Sequence, residues 1–223
     1  MPLGSYPIMG PIMADESSEL QEQLRRLADG DQQALADLFA RYRDRLRRMV
    51  KLRLDRRLQG RIDASDVLQD AYLDIARRAP EYAANPTMPF FLWLRFLTGQ
   101  RLLMVHRQHL GARMRDAGQE VSLYRGALPQ ASSVSLAAQL LGRMTSPSLA
   151  AVRAEMQLKL QEALNGMDPI DREVLTLRHF EELSNSETAA VLGLQKSAAS
   201  NRYIRALKRL KEVLSSMPGF FDV

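Results

Sequence analysis

The sequence predicts an all-α protein of two small helical domains joined by a flexible linker, and two observations support this prediction. Apolar residues recur at helical spacing through residues 19–116 and again through 149–214, with no strand-like alternation. Residues 117–148 are instead rich in Ser, Ala, Gln and Gly and poor in charge, as linkers often are. A chain of 223 residues is long enough for each domain to bury a modest core.

The first three helices of the N-terminal domain each show a clear pattern. Leu20, Leu24 and Leu27 form an amphipathic segment that ends at Gly30. The long second helix has apolar residues at helical spacing, namely Ala34, Leu35, Leu38, Phe39, Tyr42, Leu46 and Val50. The segment Asp63-Ala-Ser-Asp66 supplies an N-cap for the third helix, whose apolar face comprises Val67, Leu68, Ala71, Tyr72 and Ile75.

Prolines separate the third helix from the fourth. Because proline interrupts a helix, residues 80–89 are predicted to form a loop. A fourth long helix is then predicted over 90–115, with breaks or bends near Gly99 and Gly111. Residues 117–148 follow as the linker, with one short helical turn near 134–141.

The C-terminal domain is predicted to contain helices over 149–164 and 169–180, followed by two shorter helices that meet at Gly193. Ser184 and Glu187 have the spacing of a capping box, in which each side chain bonds the other's backbone N–H. Residues 1–18 are predicted to be a disordered extension or an expression remnant, and residues 215–223 form a C-terminal tail.

Composition excludes several classes of site. The chain has no cysteine, so it has no disulfide and no Cys-ligated metal. No apolar run approaches the roughly 20 residues of a membrane span, and the first residues lack the pattern of a signal peptide. These features predict a cytoplasmic protein without membrane insertion. The net charge of +5 and the pI near 9.7 are moderate indications of a polyanionic partner.

The helix after Gly193 concentrates this positive charge. It has no acidic residue before Glu212, and its basic residues are Lys196, Arg202, Arg205, Lys208, Arg209 and Lys211. A basic helix that follows a tight turn and a small Ala-rich helix is typical of a helix-turn-helix that enters the major groove of DNA. The alternative is an ordinary helical hairpin with a basic solvent face.

A second candidate region lies around the predicted loop and the fourth helix. Residues 90–96 concentrate aromatic side chains next to a loop that contains Tyr82 and Asn85. Basic side chains follow without an acidic residue, namely Arg95, Arg101, His106, Arg107, Arg113 and Arg115. This combination suits opened DNA, whose bases stack on rings while arginines bind phosphates. The alternative is that the aromatic residues only fill the core.

The remaining polar clusters do not predict an enzyme, a metal site or a cofactor. Asp66, Asp70 and Asp74 share one helical stripe opposite the apolar face, which indicates an exposed acidic docking ridge. His106 and His109 lack a third metal ligand and are interpreted as solvated or phosphate-facing side chains. No phosphate-binding loop or nucleophile motif occurs.

Three blocks of the sequence, taken in their order along the chain, resemble the bacterial sigma factors of the extracytoplasmic-function type, which keep sigma regions two and four. The opening of region two is similar to Gly30, Asp31, Ala34, Leu35, Leu38, Phe39 and Tyr42. Its most recognisable segment is similar to residues 66–73, and Trp93-Leu94 is similar to its promoter-reading helix. Region four is similar to residues 171–175, 187–193 and 205–207.

The resemblance implies a transcription initiation factor that binds core RNA polymerase, directs it to promoters and helps to melt the minus-10 element. It implies three sets of site residues. Core polymerase would bind Asp66, Gln69, Asp70 and Asp74. The minus-10 element would bind Tyr82, Asn85, Arg95, Gln100, Arg101 and Arg107. The minus-35 element would bind Arg172, Lys196, Ser200, Asn201, Arg202, Arg205 and Lys208.

The resemblance also implies partners and leaves alternatives open. Core polymerase and promoter DNA are the expected partners, and an anti-sigma factor is a further candidate. The chain departs from the family pattern at Gln100, Met104 and Ser200, which puts its upstream specificity in doubt. The competing hypotheses are a conventional helix-turn-helix regulator with an N-terminal sensing or dimerisation domain, and a helical adaptor without a DNA role.

Overall fold

The computed structural model describes residues 14–110, 128–142 and 150–216, and within these ranges it is all-α, as predicted. The helices are α1 (Ala14–Ala28), α2 (Gln32–Arg53), α3 (Ala64–Ala84), α4 (Phe90–Leu110), α5 (Ser133–Gly142), α6 (Ala150–Asn165), α7 (Pro169–Leu175), α8 (Asn185–Leu192) and α9 (Lys196–Ser215). In these ranges, no helix combines the length and apolarity that crossing a membrane requires.

Helices α1 to α4 pack together as the N-terminal domain. Side-chain caps begin α2 and α3, the first without a prediction from the sequence and the second within the predicted segment. Asp31 accepts hydrogen bonds from the backbone N–H groups of Gln33 and Ala34, and Asp63 forms a full capping box with Asp66. The apolar faces meet in one core whose most deeply buried members include Leu38, Leu46, Leu68, Ile75, Leu94 and Leu102. Local capping and helical periodicity therefore agree in this domain.

Helix α3 continues past Pro80, so the prediction of a loop beginning at that residue was wrong. A proline inside a helix removes one hydrogen bond and costs about 3 kcal/mol in an exposed helix. Pro80 is exposed, whereas the neighbouring Ala79 and Tyr82 are buried in the core. Burial of these side chains offsets the cost, and the helix ends only at Ala84, before Asn85-Pro86.

The aromatic residues at the junction of α3 and α4 form a buried cluster. The rings of Tyr82 and Trp93 stack with centroids 4.4 Å apart, and Phe90 packs on both of them. The Tyr82 hydroxyl donates a 2.7 Å hydrogen bond to the Met88 carbonyl. Burial raises the pKa of Tyr82 to about 12, with a smaller contribution from Tyr42. The cluster therefore closes the loop after α3 against the core.

Helices α6 to α9 form the C-terminal domain. A π-helical segment, Thr176–Phe180, extends α7, so together they occupy the helix predicted over 169–180. Ser184 and Glu187 form the predicted capping box at the start of α8. Gly193 ends that helix at φ 62°, a left-handed conformation that glycine adopts without a Cβ penalty. The tight turn between α8 and α9 therefore has the conformation that the sequence indicated.

Much of the predicted linker that the structure describes packs against the two domains. Helix α5 lies within it and packs on α6 and α2, with Leu136 and Leu141 fully buried. Because Gly99 has no side chain, Leu128 can pack directly against α4. A Cβ atom at position 99 would lie only 1.9 Å from Leu128 Cδ2. Helix α4 continues through Gly99, so the glycine serves close packing and the predicted break there is wrong.

The start of the chain differs from the sequence prediction. Helix α1 begins at Ala14, within the segment 1–18 that was assigned to the extension. Residues 1–13 and 217–223, and the predicted bend at Gly111, lie outside the described residues.

Replacement of Leu46 by Ala should lower the free energy of unfolding by about 2–5 kcal/mol, since the side chain is fully buried and its loss leaves a cavity. Leu73→Ala is the matched control in the same domain, because Leu73 is 52% exposed. Its effect should stay within about 0.5 kcal/mol. Urea unfolding followed by circular dichroism measures both. Equal losses in the two variants would contradict the assigned core.

The buried phenol of Tyr82 should make stability fall in alkaline solution. The phenol of the unfolded chain ionises with the ordinary tyrosine pKa of about 10, whereas the folded phenol stays neutral up to its pKa of about 12. The unfolded state therefore binds fewer protons between these values, and stability is lost as the pH rises through this window. By about pH 11 this amounts to about 1.4 kcal/mol.

Urea unfolding of the wild type and of Tyr82→Phe at about pH 9 and about pH 11 measures this loss. The variant should lose less stability between the two conditions, because it has no phenol at that position. If both proteins lose the same amount, Tyr82 is not the ionising group.

Candidate nucleic-acid interface

The acidic stripe on α3 is exposed over most of its length. Asp66, Gln69 and Asp70 are all exposed, although Asp66 also accepts a hydrogen bond from the backbone N–H of Asp63. Asp74 differs, because it accepts a 2.9 Å hydrogen bond from Arg101 Nε and a second bond from the same guanidinium. Three of the four residues predicted to bind polymerase thus form an open surface, and the fourth is paired within the chain.

The same face contains an apolar residue that the search for charged positions missed. Leu73 lies three residues after Asp70 and four after Gln69, which puts all three on one side of the helix. Its side chain is 52% exposed, the second highest value among the exposed large hydrophobics of the described residues. The spacing of three and four residues from Asp70 and Gln69 would have been enough to place Leu73 on this face from the sequence alone.

The residues predicted to contact the minus-10 element divide into exposed and buried groups. Asn85, Gln100 and Arg107 are exposed. Tyr82 and Arg95 are buried at 5% exposure each, Tyr82 in the aromatic cluster and Arg95 beside a carboxylate of the C-terminal domain. In this arrangement neither of the two can reach a base or a phosphate.

Arg101 is the remaining member of that set. Its guanidinium binds Asp74 and lies 4.0 Å from Asp70, so it joins α4 to the acidic stripe of α3. The sequence prediction assigned Arg101 to DNA and Asp74 to polymerase, and the structure brings these two side chains into one ion pair.

The outer face of α9 presents most of the residues predicted to contact the minus-35 element. Lys196, Asn201, Arg205 and Lys208 are exposed, and Ser200 is half-buried. The first turn of α9 is held close to the start of α8, because Asn185 Nδ2 donates a 2.8 Å hydrogen bond to the Lys196 carbonyl. The backbone N–H of Leu194 also bonds the Ala189 carbonyl. These contacts set the angle between the two helices of the helix-turn-helix.

The three arginines of the predicted minus-35 set all have partners within the chain. Arg202 donates a 2.6 Å bond to Asp171 and a 3.2 Å bond to Asp168. Backbone N–H groups are the largest cause of the lowered pKa of Asp168, with smaller effects from Arg202 and Arg205. Arg172 donates hydrogen bonds to Gln130 and Ser133 of the linker. Arg172 therefore holds the linker in place in this structure. Arg205 lies 3.1 Å from Asp171, but its side chain is still 63% exposed.

The histidines show one departure from the sequence interpretation. His109 is exposed, but His106 is buried and its Nε2 accepts a 3.2 Å hydrogen bond from the Asp55 backbone N–H. Burial lowers the pKa of His106, which outweighs the attraction of the Asp55 carboxylate. His106 is therefore a neutral core side chain. Within the described residues, no group of three His, Cys, Asp or Glu side chains could hold a metal ion.

Comparisons with known proteins agree with this geometry. The family model for region 4 of sigma-70 matches residues 157–210, which span α7 to α9 and most of α6. The RNA polymerase sigma factor CarQ of Myxococcus xanthus is 27% identical over 196 residues, covering 87% of this chain and 97% of CarQ. The ECF RNA polymerase sigma factor SigD of Mycobacterium tuberculosis is 25% identical over 204 residues, covering 92% of this chain and 88% of SigD.

A solved structure agrees at the level of the fold. CnrH, in its complex with the cytosolic domain of CnrY, has a TM-score of 0.52 and 20% identity, covering 89% of this chain and 98% of CnrH. Relatives that match both domains in one alignment do not favour a conventional helix-turn-helix regulator. The exposed basic helix lies in the part of the chain that matches region 4 of sigma-70, and over most of its length the chain is similar to RNA polymerase sigma factors, among them one of the extracytoplasmic-function (ECF) type.

Proposed function

We propose that this chain is a dissociable promoter-specificity subunit that binds core RNA polymerase, directs it to promoters and helps to melt the minus-10 region. The observation that carries the proposal is the exposed basic face of α9, which lies inside the segment matched by the sigma region 4 model. In this role the chain provides binding and positioning, and we assign it no catalytic activity. Its site of action would be the bacterial cytoplasm, on the nucleoid.

Reading of the minus-35 element would use the N-terminal half of α9. Asn201 and Arg205 are exposed donors that could reach base edges in the major groove, together with Arg202 if it leaves Asp171. Ser200 is half-buried and offers one hydroxyl. Lys196 and Lys208 are exposed cations suited to phosphates on either side. Arg172 would contribute only after it releases the linker.

Opening of the minus-10 element would use the exposed parts of the α3–α4 junction. Asn85 and Gln100 can donate and accept hydrogen bonds, and Arg107 is a free cation near the end of α4. Tyr82 stiffens this junction from within, since it is buried against Trp93. Arg101 and Arg95 would join the DNA contacts only by exchanging their carboxylate partners for phosphates.

Docking on polymerase would use the α3 stripe. Asp66 and Asp70 can pair with cationic side chains of a partner helix, and Gln69 can bond its polar groups. Leu73 adds an exposed apolar side chain on the same face, which could be buried at the centre of the interface with the acidic residues around it. An anti-sigma factor is a further proposed partner, and it would have to cover some of the same surfaces.

Charge reversal of the stripe, as Asp66→Lys with Asp70→Lys, should abolish capture of the chain by core RNA polymerase in a pull-down. Each substitution replaces an exposed carboxylate with a cation that repels a basic partner. Binding of the same variant to a minus-35 duplex should remain unchanged, because the stripe and α9 belong to different domains.

Asp37→Lys is the matched control for this experiment, because Asp37 is an exposed carboxylate of the same domain that lies on α2 and not on the stripe. Its capture by core enzyme should equal that of the wild type. Normal capture of the double variant would show that docking takes place elsewhere.

Replacement of both Lys196 and Lys208 by Ala should weaken duplex DNA binding by a similar factor for all sequences. It should also make the plot of log affinity against log salt less steep by about 1.8, since each phosphate contact contributes about 0.9. Fluorescence anisotropy over a salt series measures the slope. Lys159→Ala removes an exposed cation on α6 and should leave the slope unaltered. An unaltered slope in the Lys196/Lys208 variant would remove these lysines from the interface.

A further inference from the structure

A buried cluster of charged residues joins the two domains. Arg53, at the end of α2, donates to Glu181 at 2.6 and 2.9 Å and to Glu173 at 2.5 Å. Arg95, on α4, donates to the other oxygen of Glu181 at 2.8 Å. Glu181 thus receives one guanidinium on each carboxylate oxygen. We call Arg53, Arg95, Glu173 and Glu181 the interdomain cluster.

The cluster is almost free of solvent and electrically balanced. The side chains of Arg53 and Glu181 are 1% exposed, that of Arg95 is 6% exposed, and that of Glu173 is 21% exposed. Burial alone would raise the pKa of Glu181, but the two arginines outweigh it and lower the pKa. Two cations therefore face two anions. Removal of one carboxylate leaves an uncompensated buried charge, which is strongly unfavourable.

Arg95 retains unused donor capacity within this cluster. Its Nη2 atom is buried and has no hydrogen-bond partner, while Nε binds Glu181. Arg53 also donates to the Pro129 carbonyl of the linker, so every nitrogen of its guanidinium has an acceptor. A single carboxylate between two guanidinium groups offers fewer acceptor sites than the two groups have N–H donors. A phosphate, with more oxygens in a wider arrangement, could bond both arginines.

Further contacts around the cluster hold the same two domains together. Arg45 Nη2 donates to the Glu182 carbonyl at 2.9 Å, and Arg48 Nη2 donates to the Glu182 carboxylate at 2.5 Å. Leu177 and Leu183 are buried in the core of the N-terminal domain, whereas Leu52 of α2 is buried in the other core. In this structure the domains are therefore closed on each other through a seam of both apolar and charged contacts.

The proposed function requires the domains to separate. The minus-35 and minus-10 elements lie about 25 base pairs apart, which is about 85 Å at about 3.4 Å per base pair. A compact unit of this length has a radius of gyration of only about 17 Å. A chain closed through the interdomain cluster could not reach both elements at once. When the domains part, Arg53 and Arg95 lose their carboxylates and gain access to solvent.

We propose that Arg53 and Arg95 form an anion site with two successive occupants, the Glu181 carboxylate in the closed chain and a DNA phosphate in the open chain. This inference rests on the proposed function, because DNA is the polyanion that function supplies. Glu181 is then an internal competitor of DNA. The free chain binds single-stranded DNA weakly until the domains open.

Glu181→Gln tests the site in the full-length chain without polymerase. Binding of a fluorescein-labelled single-stranded oligonucleotide of mixed sequence should become at least roughly fivefold tighter, because the binding-competent open state gains population. Adding Arg53→Gln and Arg95→Gln should abolish the gain and make the salt slope less steep by about 1.4, or about 0.7 per lost phosphate contact. Glu162→Gln, an exposed change of equal charge on α6, should alter affinity by less than twofold.

The position of the domains is measured in the same proteins. The chain has no cysteine, so spin labels at Gln59→Cys and Ser215→Cys, one exposed position in each domain, report one distance. This distance should be short and narrowly distributed in the wild type, and longer and broader with Glu181→Gln. If Glu181→Gln does not fold, Glu173→Gln takes its place, because Glu173 is partly exposed and binds Arg53 alone.

Several outcomes would overturn the proposal. Unchanged DNA affinity with Glu181→Gln would do so, as would a gain that survives the loss of both arginines. An equal gain with Glu162→Gln would attribute the effect to net charge and also reject the site. Neither measurement uses polymerase, so a failed pull-down against core enzyme would contradict the proposed function separately.

Discussion

The position of Glu181 between Arg53 and Arg95 is the interaction on which the arrangement of this molecule depends. A buried carboxylate is tolerated only when cations compensate it, and here the two cations come from α2 and α4 of the other domain. The carboxylate therefore ties the segment after the π-helical turn to the N-terminal domain. Leu177 and Leu183 enter the N-terminal core on either side of it.

Several of the residues proposed to contact promoter DNA already bind carboxylates within the chain. Arg95 belongs to the helix proposed to face opened DNA, yet its guanidinium binds Glu181. Arg101 is similarly held by Asp74, and Arg202 by Asp171. Each of these arginines has a carboxylate where the proposed complex would offer a phosphate. Exchange of one anion for another lets an arginine stay paired in both states, which limits the cost of desolvation during the transition.

Helical periodicity and capping explain why so much of the fold could be predicted. The segment of residues 63–66 caps α3 and Ser184 caps α8, both as the sequence predicted, and Gly193 ends α8 as expected. These signals are local, so they can be recognised in one sequence. The predictions at Pro80 and Gly99 were wrong because side-chain burial in the folded core outweighed the local preference of these two residues. The linker helix α5 was underestimated for the same reason.

The sequence by itself determined the all-α class, the basic face of α9 and the exposed acidic stripe of α3, because each depends on residues within a few helical turns. Only the tertiary structure decided which charged residues are free. Arg53, Arg95 and Glu181 are separated by 42 and 86 residues along the chain, yet they meet in one buried cluster. Periodicity places a side chain on a face, but the partner of that face comes from packing between distant segments.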